Sequence, residues 1–142
     1  MDESSIAARW TELDPTPRQI AALRAHAHRG DAYMLNLIRF RDRTADGAMS
    51  GRDAYRHYAE AVEPMIARWG GRLAFVGRVN LVAIGHETDD RFDQMMLVQY
   101  PAFATMCDMM ESAEYRAINP WRLAGLERHV LLALTDVGTR RG

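Results

Sequence analysis

The chain contains no lysine: all 18 of its basic side chains are arginine, set against 19 acidic ones in 142 residues. Without an amine nucleophile, Schiff-base chemistry, the internal aldimine of a pyridoxal phosphate enzyme and the lysine of a phosphate-binding P-loop are all excluded. Cysteine is nearly absent as well. Cys107 alone can form neither an internal disulfide nor a multi-cysteine metal site. No apolar run approaches the ~20 residues that span a bilayer, and Met1 to Trp10 is acidic and polar, without the apolar stretch of a signal peptide. The expectation is a cytoplasmic protein of bacterial type with no membrane partner.

What is present is ordinary globular material, 48% hydrophobic and 26% charged, long enough for one domain with a real core. A formal charge of −1 with mixed signs offers nucleic acid no basic face. No His/Asp/Glu spacing suits a metal, and no glycine-rich loop leads from a strand into a helix as a dinucleotide site requires, so no cofactor is expected.

Residues 1–15 carry no period and read as an N-terminal arm. Thr16-Pro17-Arg18-Gln19 places a hydroxyl at N-cap, proline at N1 and glutamine at N3, a capping box that starts a helix from Pro17 to His28, within an N-terminal unit of residues 16–30 ended by Gly30. Residues 31–137 read as a single domain and 138–142 as a C-terminal tail. The run Tyr33 to Arg41 has strand length and is apolar on both faces, so both faces require cover. A helix follows from Arg52 to Trp69, with Tyr55, Tyr58, Val62, Met65 and Ile66 on its stripe and Pro64 predicting a kink or a new turn. Arg72 to Gly85 reads as one long strand broken by a bulge near Gly77 and Asn80. Gln94 to Tyr100 is a third strand. A helix over Ala102 to Glu111, a segment around Tyr115, a helical stretch from Trp121 to Leu126 and a strand from His129 to Thr135 complete the chain. The order β-α-β-β-α-β is the ferredoxin-like plan, an α+β fold with an extra N-terminal helix. Its two helices cover only one sheet face. A second copy of the sheet covers the other most simply, predicting a homodimer with a barrel between the subunits.

Met34-Leu-Asn-Leu-Ile-Arg-Phe-Arg41, the Tyr58 helix, Gly70-Gly71-Arg72-Leu73, Phe92-Asp93, Tyr100-Pro101, Ser112-Ala-Glu-Tyr115 and Arg122 together resemble the dimeric α+β-barrel family catalogued as domain of unknown function 1330, over residues 33–136. The resemblance implies the fold and the dimer. The wider superfamily it resembles includes cofactor-free monooxygenases, isomerases and dehydratases as well as haem-binding enzymes, an analogy of fold rather than of site. The family often carries an arginine before the glycine of the second strand. Val76 stands there in this chain, leaving Arg78 as the residue that can substitute in an anion-binding role.

Candidates for chemistry are polar residues set within apolar runs. Asn36 shares a strand face with Met34, Ile38 and Phe40; its amide can contact a ligand carbonyl or hydroxyl, or satisfy a nearby backbone group. Arg39 lies on the opposite face, where it can hold a carboxylate or pair with Asp93. Arg122, near Trp121 and Tyr115, is a candidate for ligand binding. Tyr58 and Tyr115 can donate phenolic protons, although a stripe residue such as Tyr58 is also core. His57 or His129 beside Asp93 would make a general base near neutral pH, and either histidine is the residue a haem iron would need. These residues give two readings. One is a small-molecule-binding dimer acting on an apolar or aromatic metabolite, with Tyr58, Asp93 and His57 as proton carriers and Asn36, Arg39, Arg78, Tyr115 and Arg122 as ligand contacts. The other is a non-catalytic binding or assembly protein with a filled interior.

Overall fold

The computed structural model describes residues 12–138. Most of the expected N-terminal arm and most of the C-terminal tail, residues 1–11 and 139–142, lie outside the described residues. The elements in chain order are α1 (Pro17–Ala25), β1 (Ala32–Phe40), α2 (Gly51–Arg68), β2 (Arg72–Arg78), β3 (Gln94–Tyr100), α3 (Phe103–Glu111), α4 (Ala113–Gly125) and β4 (Leu126–Leu134). The strands form one antiparallel sheet in the order β2-β3-β1-β4. This is the ferredoxin-like topology, an α+β fold.

Alternation along β1 divides the sheet's two faces. Met34, Ile38 and Phe40 turn toward the helices, where they join Met96, Val98 and Tyr100 of β3 and Tyr55, Tyr58, Val62 and Met65 of α2 in the buried core. Leu35 and Leu37 point the other way, Leu35 in register with Leu97 of β3 and Leu132 of β4, and Leu37 with Met95 and Val130. On that outer face Phe75 is 58% and Leu132 45% exposed, so the apolar residues of β1's second face have no helix over them.

Several features differ from the sequence expectations. β2 stops at Arg78, because its partner β3 begins opposite it at Gln94 and only one further backbone bond, from Val79 N–H to Asp93 O at 3.0 Å, extends the pairing. Its irregularity falls between Leu73 and Phe75 rather than near Gly77. The segment around Tyr115 and the stretch after Trp121 are one helix, α4, because Ser112 caps it by accepting from Tyr115 N–H at 3.2 Å; β4 then begins at Leu126, ahead of His129. The Pro64 position lies inside an α2 that continues to Arg68. α1 is shorter than expected, ending at Ala25.

α1 keeps its predicted capping box, with Thr16 and Gln19 exchanging bonds of 2.9 and 3.1 Å. Arg24 fixes it to α3 through Asp108 (2.8 Å) and Glu111 (2.9 Å). α2 and α4 meet backbone to backbone: a Cβ on Gly125 would lie 2.6 Å from Gly51 O, and one on Gly51 would lie 2.1 Å from Arg41 O. These two glycines bring the start of α2, the end of α4 and the end of β1 to one point, where Arg41 N–H also donates to Gly125 O at 2.8 Å.

Candidate functional site

Between the helices and the inner face of the sheet lies a cavity of about 750 Å³. Apolar side chains form most of its wall, among them Met34, Val62, Ile66, Met96 and Met106, and residues of α1 and the segment before it reach its rim. Methionines in such a wall adapt their shape to an occupant.

Two polar groupings interrupt this wall. In the first, the Tyr58 and Tyr115 hydroxyls lie 2.9 Å apart, brought together from α2 and α4. Burial, reinforced by the neighbouring Tyr115, holds the Tyr58 phenol well above its ordinary pKa, so it stays protonated. Tyr55, one turn away on α2, is raised for the same reason. The second grouping is a chain across the sheet. Arg122, only 2% exposed, donates from Nη1 to His129 Nδ1 at 2.8 Å, and His129 Nε2 meets Asn36 Oδ1 at 2.8 Å. A guanidinium carries only donors, so Nδ1 must be the bare nitrogen and Nε2 carries the hydrogen given to Asn36. Burial first, and the Arg122 charge second, push the His129 pKa down to about 3. Arg122 also donates to Asn119 Oδ1 (2.8 Å), to the Leu13 carbonyl (2.6 Å) and to the Asp14 carboxylate.

The structure gathers some of the predicted residues and separates others. Asn36, Tyr58, Tyr115 and Arg122 all line the cavity. His129, considered only as a partner of Asp93 or as an iron ligand, belongs with them. It has no contact with Asp93 and spends both ring nitrogens on Arg122 and Asn36. Asp93 lies just before β3, where it accepts the Phe40 backbone N–H at 2.8 Å and faces Arg91 at 3.7 Å, lining a separate polar depression. With Asp93 engaged in that way, Arg39 does not pair with it: buried at 5% exposure, it donates to the Arg91 and Thr88 carbonyls, each at 2.7 Å, and so pins the turn before β3. Burial lowers its pKa from the usual arginine value. His57 is exposed on α2, stacked on Trp121 with ring centroids 4.4 Å apart, and so stands apart from Asp93. Arg78 ends β2 opposite Gln94, exposed and outside the cavity wall.

Asn36 uses its carbonyl on His129, while its amide nitrogen makes only long contacts, 3.3 Å to Met34 O and 3.4 Å to Met96 O. Sequence reasoning missed Leu13 and Asp14, whose role depends on the fold bringing the N-terminal segment against α4. In the sequence both fell within the N-terminal arm of residues 1–15.

No helix among the described residues is long and apolar enough to cross a membrane, and none of the described His, Cys, Asp and Glu residues form a cluster that could hold a metal ion. No curated protein matches the chain. Among solved structures, a protein of unknown function from Rhodopseudomonas palustris, RPA0582, is 32% identical, with 89% of this chain and 97% of that one covered and a TM-score of 0.81. Its methylated form gives the same identity over 92% and 98% of the two chains, with a TM-score of 0.83. A protein from Bacteroides fragilis described as dimeric, of unknown function and of ferredoxin-like fold, shares the architecture at 12% identity, covering 75% and 96%, with a TM-score of 0.50. The family described as Domain of unknown function (DUF1330) matches residues 44–135, from the loop before α2 to the end of β4, and the chain belongs to that family.

Proposed function

We propose that this protein binds a small, largely apolar metabolite in the cavity between α2, α4 and the sheet, and does so as a homodimer whose sheets pack through their outer faces. The observation that carries the binding reading is the cavity itself. Its volume of about 750 Å³ falls within the range of roughly 300–1,000 Å³ usual for ligand sites, whereas a purely structural interior would be packed by its own side chains. Tyr58, Tyr115 and Asn36 are the ligand contacts of this reading. Arg122 and His129 are the frame that holds Asn36, and Arg39, Arg78, Asp93 and His57 serve outside the cavity.

The chemistry on offer favours holding over conversion. Tyr58 keeps its proton, and His129 has neither a free lone pair nor a protonation step near neutral pH. Neither Tyr58 nor His129 is thus free to act as a general base.

The dimer is supported by the unpartnered apolar outer face and by the dimeric description of the Bacteroides fragilis neighbour. The test of the binding reading is calorimetric titration with tetralin, a neutral bicyclic hydrocarbon, on the native protein and on Val62→Trp, which places an indole in the cavity wall. Saturable heat with the native chain and its loss in the variant are expected. Equal behaviour of the two proteins removes the cavity as the site.

A further inference from the structure

Granting the binding reading, the cavity's polar groups define the chemical class of its occupant. We infer that the ligand is a neutral, ring-sized lipophilic molecule presenting one hydrogen-bond-accepting oxygen, such as a ketone, aldehyde or lactone, to the Tyr58–Tyr115 pair.

The first ground is a count of hydrogens. Two hydroxyls 2.9 Å apart share one hydrogen bond, yet they carry two hydrogens. Whichever tyrosine donates to the other, one O–H remains, and among the described residues no protein atom accepts it. A buried donor left without a partner costs free energy, and both tyrosines line the cavity, so a ligand oxygen is the natural acceptor. The Asn36 amide, with only long contacts to Met34 O and Met96 O, supplies a second donor nearby. The acceptors beside that amide are already used: Asn36 Oδ1 takes the His129 hydrogen and His129 Nδ1 takes an Arg122 hydrogen.

The second ground is charge. Arg122 is the cation in the wall, and four of its five N–H groups are committed to Asn119, Leu13, His129 and Asp14. Three carboxylates, Glu12, Asp14 and Glu63, also line the cavity, against that one guanidinium. A carboxylate ligand would have to displace Asp14 and enter a region of net negative charge. A neutral oxygen meets neither cost. The phenols reinforce the distinction, since Tyr58 is held in its protonated, donating form by burial.

Three probes of one skeleton test this: tetralin, 1-tetralone and the tetralin-1-carboxylate anion, each titrated into the native protein and into Tyr58→Phe/Tyr115→Phe. Comparing one ligand across two proteins cancels the ketone's own desolvation. In the double variant tetralone affinity is expected to fall roughly 3- to 10-fold, the worth of one neutral hydrogen bond, while tetralin affinity holds, which also shows that the variant is folded around an intact cavity. The carboxylate is expected to bind more weakly than the ketone to the native chain. Unchanged tetralone affinity in the double variant, or a carboxylate that binds more tightly than tetralone, overturns the inference and leaves the cavity reading standing. If neither tetralin nor tetralone binds the native protein, both fall together.

Discussion

Arg122 on α4 and His129 on β4 form a 2.8 Å hydrogen bond that runs from the guanidinium to Nδ1 of the ring. This one bond orients the imidazole, aims its Nε2–H at Asn36, and ties the helical layer to the edge strand β4, from which the His129–Asn36 bond reaches β1.

A pH dependence of stability follows from it. His129 has a folded pKa of about 3 and an unfolded value near the ordinary ~6.5, so between those values the unfolded chain binds the extra proton. The contribution of His129 is therefore complete above pH ~6.5 and is lost progressively as the pH falls toward 3. The associated slope is at most about 1.4 kcal/mol per pH unit for one proton. Urea denaturation of the native chain and of His129→Gln, each at pH 7.0 and pH 5.0, checks this: the native protein should lose more stability than the variant on acidification. Equal losses would mean that the buried ring is not held neutral in the folded protein.

Asp14 is the acid paired with the buried Arg122, although its own side chain is 51% exposed. Removing one partner of a fully buried pair costs about 3–5 kcal/mol, but water reaches Asp14, and Arg122 keeps its other three partners. Asp14→Ala is expected to cost about 1–2 kcal/mol once that exposure is discounted. Arg122→Ala removes four bonds and leaves a void, for a loss of about 3 kcal/mol or more. Thermal or chemical denaturation of both single variants and of the double variant measures the coupling. An Asp14→Ala loss as large as that of Arg122→Ala would be inconsistent with the exposed position of the carboxylate.

Gly51 and Gly125 leave no room for a methyl group. Both Cβ positions would fall on backbone oxygens rather than on movable side-chain ends, so relief requires α2 and α4 to separate. Gly125→Ala should destabilise the fold by roughly 2–4 kcal/mol, despite alanine's better helix propensity. The nearby Ala124→Gly, which removes a methyl and adds none, should cost no more than about 1 kcal/mol. The two melting temperatures decide the matter, and a neutral Gly125→Ala would show that the helices do not touch there.

The proposed homodimer packs through the outer sheet face, where Leu132 of β4 lies in register with Leu35 of β1 and Phe75 of β2 with Leu97 of β3. Sedimentation should give twice the 16.1 kDa chain mass for the native protein, and Leu132→Arg, which places a charge on that face, should sediment as the single chain. A native protein that sediments near 16.1 kDa would rule out the proposed packing.

The strands and their faces were legible in the sequence because they rest on local signals. The apolar run of β1 and its strict alternation placed Asn36 on the Met34 face, and the structure puts that face against the helices. Readings that required knowing which groups were already occupied failed. Arg39 and Asp93 are a plausible ion pair by charge, but the Phe40 N–H takes the carboxylate and two carbonyls take the guanidinium. β2 was read as longer than it is because its sequence stays apolar to Ile84, whereas its length is set by where β3 starts. The cavity's polar frame was invisible for a third reason: His129 and Asn36 lie 93 positions apart and Arg122 and Asp14 lie 108 apart, so no spacing rule connects them. Tyr58, Tyr115, Asn36 and Arg122, each read from the sequence as a candidate contact, do line the cavity, but the bonds that join Arg122 to Asn36 through His129 were not readable.

The most direct test of ligand binding uses the methionines as reporters. Met34, Met96, Met106, Met109 and Met110 line the cavity, whereas Met95 faces the outer side of the sheet and Met49 lies in the loop before α2. In a titration with 1-tetralone followed by the methyl NMR signals of labelled methionine, saturable shifts are expected among the five cavity residues, with Met49 and Met95 unmoved. Signals that do not move at all, or that move only at Met49 and Met95, would contradict a ligand site between the helices and the sheet.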